Sequence, residues 1–299
     1  MPVRSWGAFL LLGSIWGSSF LWIKIALEEL EPFTLVGFRL LFGAVGMALV
    51  LLARRPALPK ERRTWLLLAL MGLTNTALPF VLISWGETVI DSAVASILNS
   101  TTPLFTLIIA HYFLSDERMN VPRALGLLLG FAGILLLFSR DVGLEGFRSG
   151  LLGQAAVLAA ALSYAGSSVF ARRAFRDVPL LIQAAIPLFS ADLLIWVGAI
   201  ALESPVNIPA LPITWVALAW LGLLGSCIAY LLYFYLINNV GSTRSTLVTY
   251  MFPVIGVALG VLFLDERLDL RLIIGALMVV AGIGVVNWKP RTKDGGLEA

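Results

Sequence analysis

Lys24, Arg39, Glu87 and Asp192 are charged residues inside, or at the edge of, long apolar runs. An ionisable side chain near the centre of a bilayer costs at least about 2.5–3.5 kcal/mol, so each calls for a reason. Arg39 falls about two turns into its run. There a guanidinium could hold a carboxylate through two parallel hydrogen bonds, or lock its helix to a neighbour. Asp192 falls at mid-run and is the candidate for taking up and releasing a proton; a tucked, hydrogen-bonded carboxyl is the alternative. Lys24 lies near the end of its run, where its stem can snorkel to the interface. Glu87 also sits at a run's end and reads as solvated or gate-lining. His111, the one histidine, reads as interfacial rather than as a proton relay.

Uncharged polar residues form stripes at helical spacing. Ser96, Asn99, Ser100 and Pro103 fall at i, i+3, i+4 and i+7 and therefore share one face. Thr246, Thr249, Tyr250 and Pro253 repeat the pattern late in the chain. A polar stripe on an apolar helix should face protein or water rather than lipid. It can line a cavity and orient a solute, or it can bond neighbouring helices. Pro103 and Pro253 sit mid-run, where each removes a backbone hydrogen bond and favours a bend, so both are hinge candidates. Gly72, Asn75, Thr76 and Pro79 form a further stripe. Its later counterpart, Gly222, Gly225, Ser226 and Ala229, leads into Tyr230 and Tyr233. Trp16 and Phe20 in the first run, and Tyr164 with Gly166 and Ser167 in the sixth, offer aromatic or small faces. Aromatic walls suit an amphipathic or aromatic solute; the alternative for each ring is lipid or the interface.

Other chemistries lack their residues. No G-x-x-x-x-G-K-[ST] loop is present, so the chain carries no phosphate loop of its own to power transport. One Cys, Cys227, excludes a disulfide framework, and one His excludes a His-rich metal site. No H-E-x-x-H and no acid pair on one helix speaks for an intramembrane enzyme. The expected inventory holds no cofactor and no metal. A net charge of +3 in short basic blocks makes no nucleic-acid footprint. A non-transporting scaffold or receptor is the other reading, separable by solute flux in vesicles.

The elements that would carry these residues follow from composition. Hydrophobic residues make up 59% and charged residues 13%, against about 45–50% and about 25% in soluble domains. A helix needs about 20 mostly apolar residues to cross the hydrocarbon core. Spans are expected at 6–27, 33–53, 65–85, 92–113, 121–139, 150–171, 180–202, 213–236, 243–263 and 270–288. The first run has a basic start but carries Trp16 and Trp22 and no clear cleavage site, so it reads as a retained helix. Lys and Arg concentrate at 54–63, 118–123, 172–176 and 289–293, whereas the alternate connections hold Arg140, Arg148, Arg267 and Arg271. That bias places both termini in the cytoplasm; the expected location is a plasma membrane of the bacterial inner-membrane type.

The chain repeats itself. At an offset of 150, Trp65 falls on Trp215, Gly72 on Gly222 and Pro103 on Pro253. With one residue deleted, "DER" at 116–118 falls on "DER" at 265–267, Gly126 on Gly275 and Gly133 on Gly282. "SIWGSS" (14–19) matches "SYAGSS" (163–168). An odd number of helices per copy forces the copies to cross the membrane in opposite senses, the inverted repeat of many secondary transporters. The expected fold is all-α, with ten transmembrane helices as two five-helix inverted repeats, 1–142 and 143–288, around a central cavity, and a short polar cytoplasmic tail at 289–299. Each DER is expected to set its acids before helix five or ten, where negative charge complements the dipole, on opposite faces of the membrane. Gly126, Gly130 and Gly133, and "GVALG" at 256–260, read as close-packing faces.

The segments "WGSSFLWIK" (16–24), "PFTLVGFR" (32–39), "SWGETVIDSAVASILNSTTPLF" (84–105) and "DERMNVPRALGLLLGFAGILLL" (116–137), with their echoes "NNVGSTRSTLVTYMFPV" (238–254) and "DERLDLRLIIGALMVVAGIGVV" (265–286), resemble a ten-helix member of the drug/metabolite transporter superfamily with two EamA-type repeats. The resemblance covers nearly the whole chain. It implies a basket of helices whose cavity is lined mainly by the first, third, fourth, sixth, eighth and ninth. It further implies metabolite movement, often export of amino acids or related solutes. The expected partners are a small solute and the lipid bilayer; ion coupling, exchange and facilitated diffusion stay open as energy sources, and a coupling proton rests on Asp192, the mid-span acid, alone. The pattern specifies a class of path rather than one solute or one oligomeric state.

Overall fold

The structure, a computed structural model, describes residues 3–114, 119–139, 147–240 and 245–287, the side chains of 147, 238 and 246 excepted. The first DER (116–118), the tail from 289 to 299, and the side chain of Thr246 lie outside the described residues. Among the described residues, eight helices are long and apolar enough to span a membrane. They are α1 (Val3–Ala26), α2 (Pro32–Arg54), α3 (Arg62–Glu87), α4 (Ser92–Phe113), α5 (Val121–Phe138), α6 (Arg148–Ala174), α7 (Leu180–Leu202) and α8 (Pro212–Ile237). Two shorter apolar helices follow, α9 (Leu247–Phe263) and α10 (Leu270–Val286). The ten expected spans are all present. Leu41, Val45, Leu49 and Leu52 on α2, and Leu193, Val197 and Ile200 on α7, point outward and exposed, as a lipid-facing surface requires. Leu35, Leu40, Ile97, Leu98 and Leu104 are fully buried and fill the interior.

The prolines and serines bend helices where the backbone physics says they should. Pro103 cannot donate to the carbonyl of Asn99. That carbonyl instead takes the Thr102 hydroxyl at 2.8 Å, and α4 breaks at Ser100–Thr101. In α9 the residues ahead of Pro253, Thr246–Tyr250, wind as a 3₁₀ turn. In α1 the hydroxyls of Ser18 and Ser19 bond back to the carbonyl of Ile15 at 3.0 and 3.2 Å, and the helix steps at Ser18.

Each repeat also carries a stretch of π-helix. In α3 it is Leu73–Ala77; in α8 it is Trp220–Ile228. The 150-residue offset superimposes the two. A widened turn frees main-chain carbonyls from the i→i−4 ladder, and such turns recur at functional sites.

Glycines bring the repeats together. A Cβ on Gly126 would stand 2.7 Å from the carbonyl oxygen of Gly282, and one on Gly133 would stand 2.8 Å from that of Gly275. Residue number rises along α5 as it falls along α10, so the two helices run antiparallel. Gly126 and Gly275 are repeat equivalents, as are Gly133 and Gly282, so the pair sits on the approximate two-fold between copies. Gly256 of α9 packs on the Ser96 side chain of α4 in the same close manner.

Candidate functional site

The buried centre is built around Arg39. Its helix, α2, begins with Pro32 at the first turn and carries Arg39 inward to 6% exposure. The guanidinium lies 3.8 Å over the Phe80 ring of α3, and its Nε donates to the Ser226 hydroxyl of α8 at 3.3 Å. Ser226 donates in turn to Leu221 O at 3.0 Å, a bond that the π-helical stretch of α8 makes available. Tyr164 of α6 and Tyr230 of α8 lie near enough to Arg39 to interact with it electrostatically. Among the described residues neither Nη atom of Arg39 forms a hydrogen bond, and the phenol oxygens of Tyr164, Tyr230 and Tyr233 form none. The centre is therefore a buried cation with unbonded donors, walled by rings.

The rings hold one another. Trp16 of α1 stands edge-on to Tyr230 at 6.1 Å and to Phe252 of α9 at 6.3 Å, and 5.5 Å from Tyr233. Its Nε1 donates to Gly225 O in the π stretch at 3.0 Å. The other repeat mirrors the device, where Ser163 of α6 donates to Thr74 O of the α3 π stretch at 2.6 Å. Trp220 Nε1 meets the Ser18 hydroxyl at 3.1 Å, and Ser167, the repeat equivalent of Ser18, meets Thr74 Oγ1 at 2.9 Å. Thus α1 docks on α8 and α6 on α3 through the same widened turns.

One end of the bundle is fastened by carboxylates that reach between repeats. Glu203, after α7, accepts from Phe33 N (2.8 Å), Thr34 N (2.7 Å) and Thr34 Oγ1 (2.8 Å) at the start of α2. Glu29, after α1, accepts from Ala210 N and Leu211 N, both at 3.1 Å, and from the Thr214 hydroxyl at the start of α8. Glu266, after α9, accepts from Ser92 N (2.6 Å) and Ala93 N (2.9 Å) at the start of α4. Each satisfies orphan amides and complements a helix dipole. The Thr214 hydroxyl, followed by the Leu211 and Ala210 amides, holds the Glu29 carboxyl below the ordinary carboxylate range.

Several expectations change here. Glu266 was expected to serve helix ten, but it caps α4; Asp269 caps α10 by accepting from Leu272 N at 2.8 Å. Lys24 does not snorkel outward. Its ammonium donates to the carbonyls of Glu87 (2.5 Å) and Ile90 (2.8 Å), which lack intrahelical partners at the end of α3. Glu87 is not solvated: it is fully buried, and neither carboxylate oxygen has a hydrogen-bond partner. At the same end a cleft of about 420 Å³ is lined by Lys24, Glu28, Asp91, Asp265, Glu266 and Arg267, with Leu264.

The remaining candidates divide. Ser96 and Ser100 are buried and bond back to Ala93 O (2.7 Å) and Ile97 O (2.6 Å) within their own helix. Gly256 of α9 packs against Ser96 of this stripe. Asn99 leaves Oδ1 buried without a partner. Asn75 lies half-buried in the α3 π stretch and Pro79 is buried just after it. Thr249 is half-buried. The Tyr250 hydroxyl accepts from Asn287 at 3.1 Å, and its ring lines an apolar cleft of about 360 Å³ between α1 and α9 at the opposite end. Asp192 stays apart from the centre. Its Oδ1 is buried without a hydrogen-bond partner, and Leu193 and Leu194 beside it are exposed. His111, near the end of α4, accepts from Met119 N at 3.1 Å.

Comparison with known proteins agrees with this architecture. The model of the EamA-like transporter family matches residues 5–139 and 151–288, one match per repeat. The chain is 28% identical to the uncharacterized transporter YoaV of Bacillus subtilis (strain 168), over 90% of this chain and 91% of that one. It is 32% identical to the uncharacterized inner membrane transporter YedA of Escherichia coli (strain K12), over 85% and 81%. A third relative, 27% identical over 96% and 97%, is named a "Probable amino-acid metabolite efflux pump" of Escherichia coli (strain K12). A crystal structure of another protein superposes with a TM-score of 0.68 at 20% identity over 96% of this chain and 98% of that one, a likeness of fold alone.

Proposed function

Because the chain belongs to the EamA-like transporter family of multi-pass membrane proteins, we propose that it exports small amphipathic metabolites, amino acids or close relatives, across a bacterial-type inner membrane with both termini in the cytoplasm. The observation that carries the solute class is Arg39. A buried guanidinium with unbonded Nη donors, set among Phe80, Trp16, Tyr164 and Tyr230, suits a carboxylate attached to an apolar or aromatic body. The two repeats, 1–142 and 143–288, rock about this centre and expose it alternately to each side. The carboxylate fastenings favour a closed outer end in the state described, and a proton gradient is the energy source that fits a chain of this kind. The relative named as an amino-acid metabolite efflux pump supports the same solute class.

The test is flux in vesicles of purified protein, loaded in turn with members of an amino-acid and organic-acid panel, with and without an imposed pH gradient. Saturable efflux of carboxylate-bearing solutes above that of empty vesicles is expected. A panel on which the protein never exceeds empty vesicles would favour a scaffold or receptor.

A further inference from the structure

Glu87 is a costly group to bury. It is fully buried at the end of α3, and both oxygens lack partners. The charged groups that face it are Lys24 from α1, Glu266 from the α9–α10 connection and Arg39 from α2. None of them hydrogen-bonds its carboxylate oxygens. Lys24 Nζ is committed to the main-chain oxygens of Glu87 and Ile90. Glu266 is a like charge, with both oxygens on the amides of α4. Arg39 is stacked on Phe80 and bonded to Ser226. An ionised carboxylate without partners is disfavoured in such burial, which selects the neutral carboxyl.

Position adds a second, independent argument. Phe80, Ser84 and Glu87 share one face of α3 at i, i+4 and i+7. The face runs from the guanidinium over Phe80, past Ser84 with its own buried, unpartnered hydroxyl, to Glu87. Beyond Glu87 lies the charged cleft of about 420 Å³, whose wall includes Lys24 and Glu266. Both also act electrostatically on Glu87, which sets the carboxyl near the cleft. Asp192, the mid-span acid, has no such connection to the centre.

We propose that Glu87 is a proton-binding site of the transport cycle, neutral in the closed state described and loaded from water in the charged cleft outside it. The step forms one O–H bond: a proton from cleft water joins the Glu87 carboxylate and returns to water when the site next opens. No other bond changes. When the Glu266–α4 and Lys24–α3 contacts release, water reaches the carboxyl and the proton departs. This assignment rests on the transporter reading for its purpose and on the burial of Glu87 for its chemistry.

Infrared spectroscopy of the full chain in lipid vesicles reads the carboxyl directly, without any solute. At neutral pH the wild type should show the carbonyl stretch of a protonated carboxyl. Glu87→Gln should abolish that band, Glu87→Asp should move it, and Asp192→Asn should leave it in place. Because Gln mimics the neutral form, E87Q should also unfold at or above the wild-type temperature. Absence of the band from wild type, its persistence in E87Q, or a marked loss of thermal stability in E87Q would overturn the proposal. A second arm imposes a pH gradient on vesicles loaded with a mixture of the twenty protein amino acids. Gradient-stimulated efflux should be present in wild type and lost in E87Q, whereas amino-acid exchange at equal pH persists; stimulation retained by E87Q overturns the coupling. If no protein moves amino acids while the band behaves as expected, the solute reading fails and the proton site stands.

Discussion

Arg39 shows what a single residue must satisfy in this interior. Its stacking on Phe80 and its bond to Ser226 use the flat guanidinium and one donor, leaving the Nη side for a ligand. Lys would supply charge without the planar fork. Arg39→Lys should therefore weaken solute binding by about 2 kcal/mol, roughly 30-fold in half-saturating concentration, a change read by titrating flux against solute. Glu29 makes a pH prediction of definite sign. Its carboxyl is held below the ordinary value by Thr214 and the α8 amides. The stabilisation is thus complete above the ordinary value and is lost as pH falls through the lowered one. Melting temperature should drop in acid for wild type, and Glu29→Gln should remove part of that drop. A pH profile of E29Q that parallels wild type throughout would contradict the role. The sequence placed Arg39 inside a span but could not show what faces it. The solvated reading of Glu87 fails because burial at a helix end depends on which neighbouring helices fold over it, and periodicity along α3 carries no such information.

At the scale of elements, the ten helices were legible because apolar length and short connections leave little choice. The glycine faces were legible too, since three small residues on one helix side have few uses other than close approach. The α5–α10 contact bears that out and yields a test. A side chain at Gly126 or Gly133 must displace backbone of the partner helix, so Gly126→Leu should destabilise by about 1–3 kcal/mol, seen as earlier thermal unfolding. The π stretches were not legible. Leu73–Ala77 and Trp220–Ile228 share no residue pattern beyond small and polar content. They exist because α6 and α1 each bring a donor to a carbonyl that a wider turn sets free. Trp16→Phe keeps the ring contacts and removes the bond to Gly225 O, which should cost about 1 kcal/mol. An unchanged unfolding temperature in that variant would count against the widened turn as a docking site. The fastening of α2, α4 and α8 by Glu203, Glu266 and Glu29 was equally invisible, since each carboxylate caps a helix remote in sequence.

Across the whole molecule, duplication is the organising fact. The copies meet antiparallel at α5 and α10, and each docks its first helix on the other's third through matching contacts. Such symmetry permits two equivalent closed ends with one centre between them. The carboxylate fastenings described here lie at the end bearing 27–31, 203–211 and 264–269. On the proposed orientation, a cysteine at Lys60 should label from the cytoplasm and one at Arg267 from outside, in a chain whose Cys227 is replaced. Labelling of both from one side would break the inverted arrangement. The central claim, that solute passes through the Arg39 centre, is tested most directly by efflux of labelled amino acids from vesicles containing matched amounts of wild type or Arg39→Gln. Saturable efflux in wild type that falls at least about tenfold in R39Q, with both proteins folded and monodisperse, is the predicted result. Equal efflux from the two would contradict it.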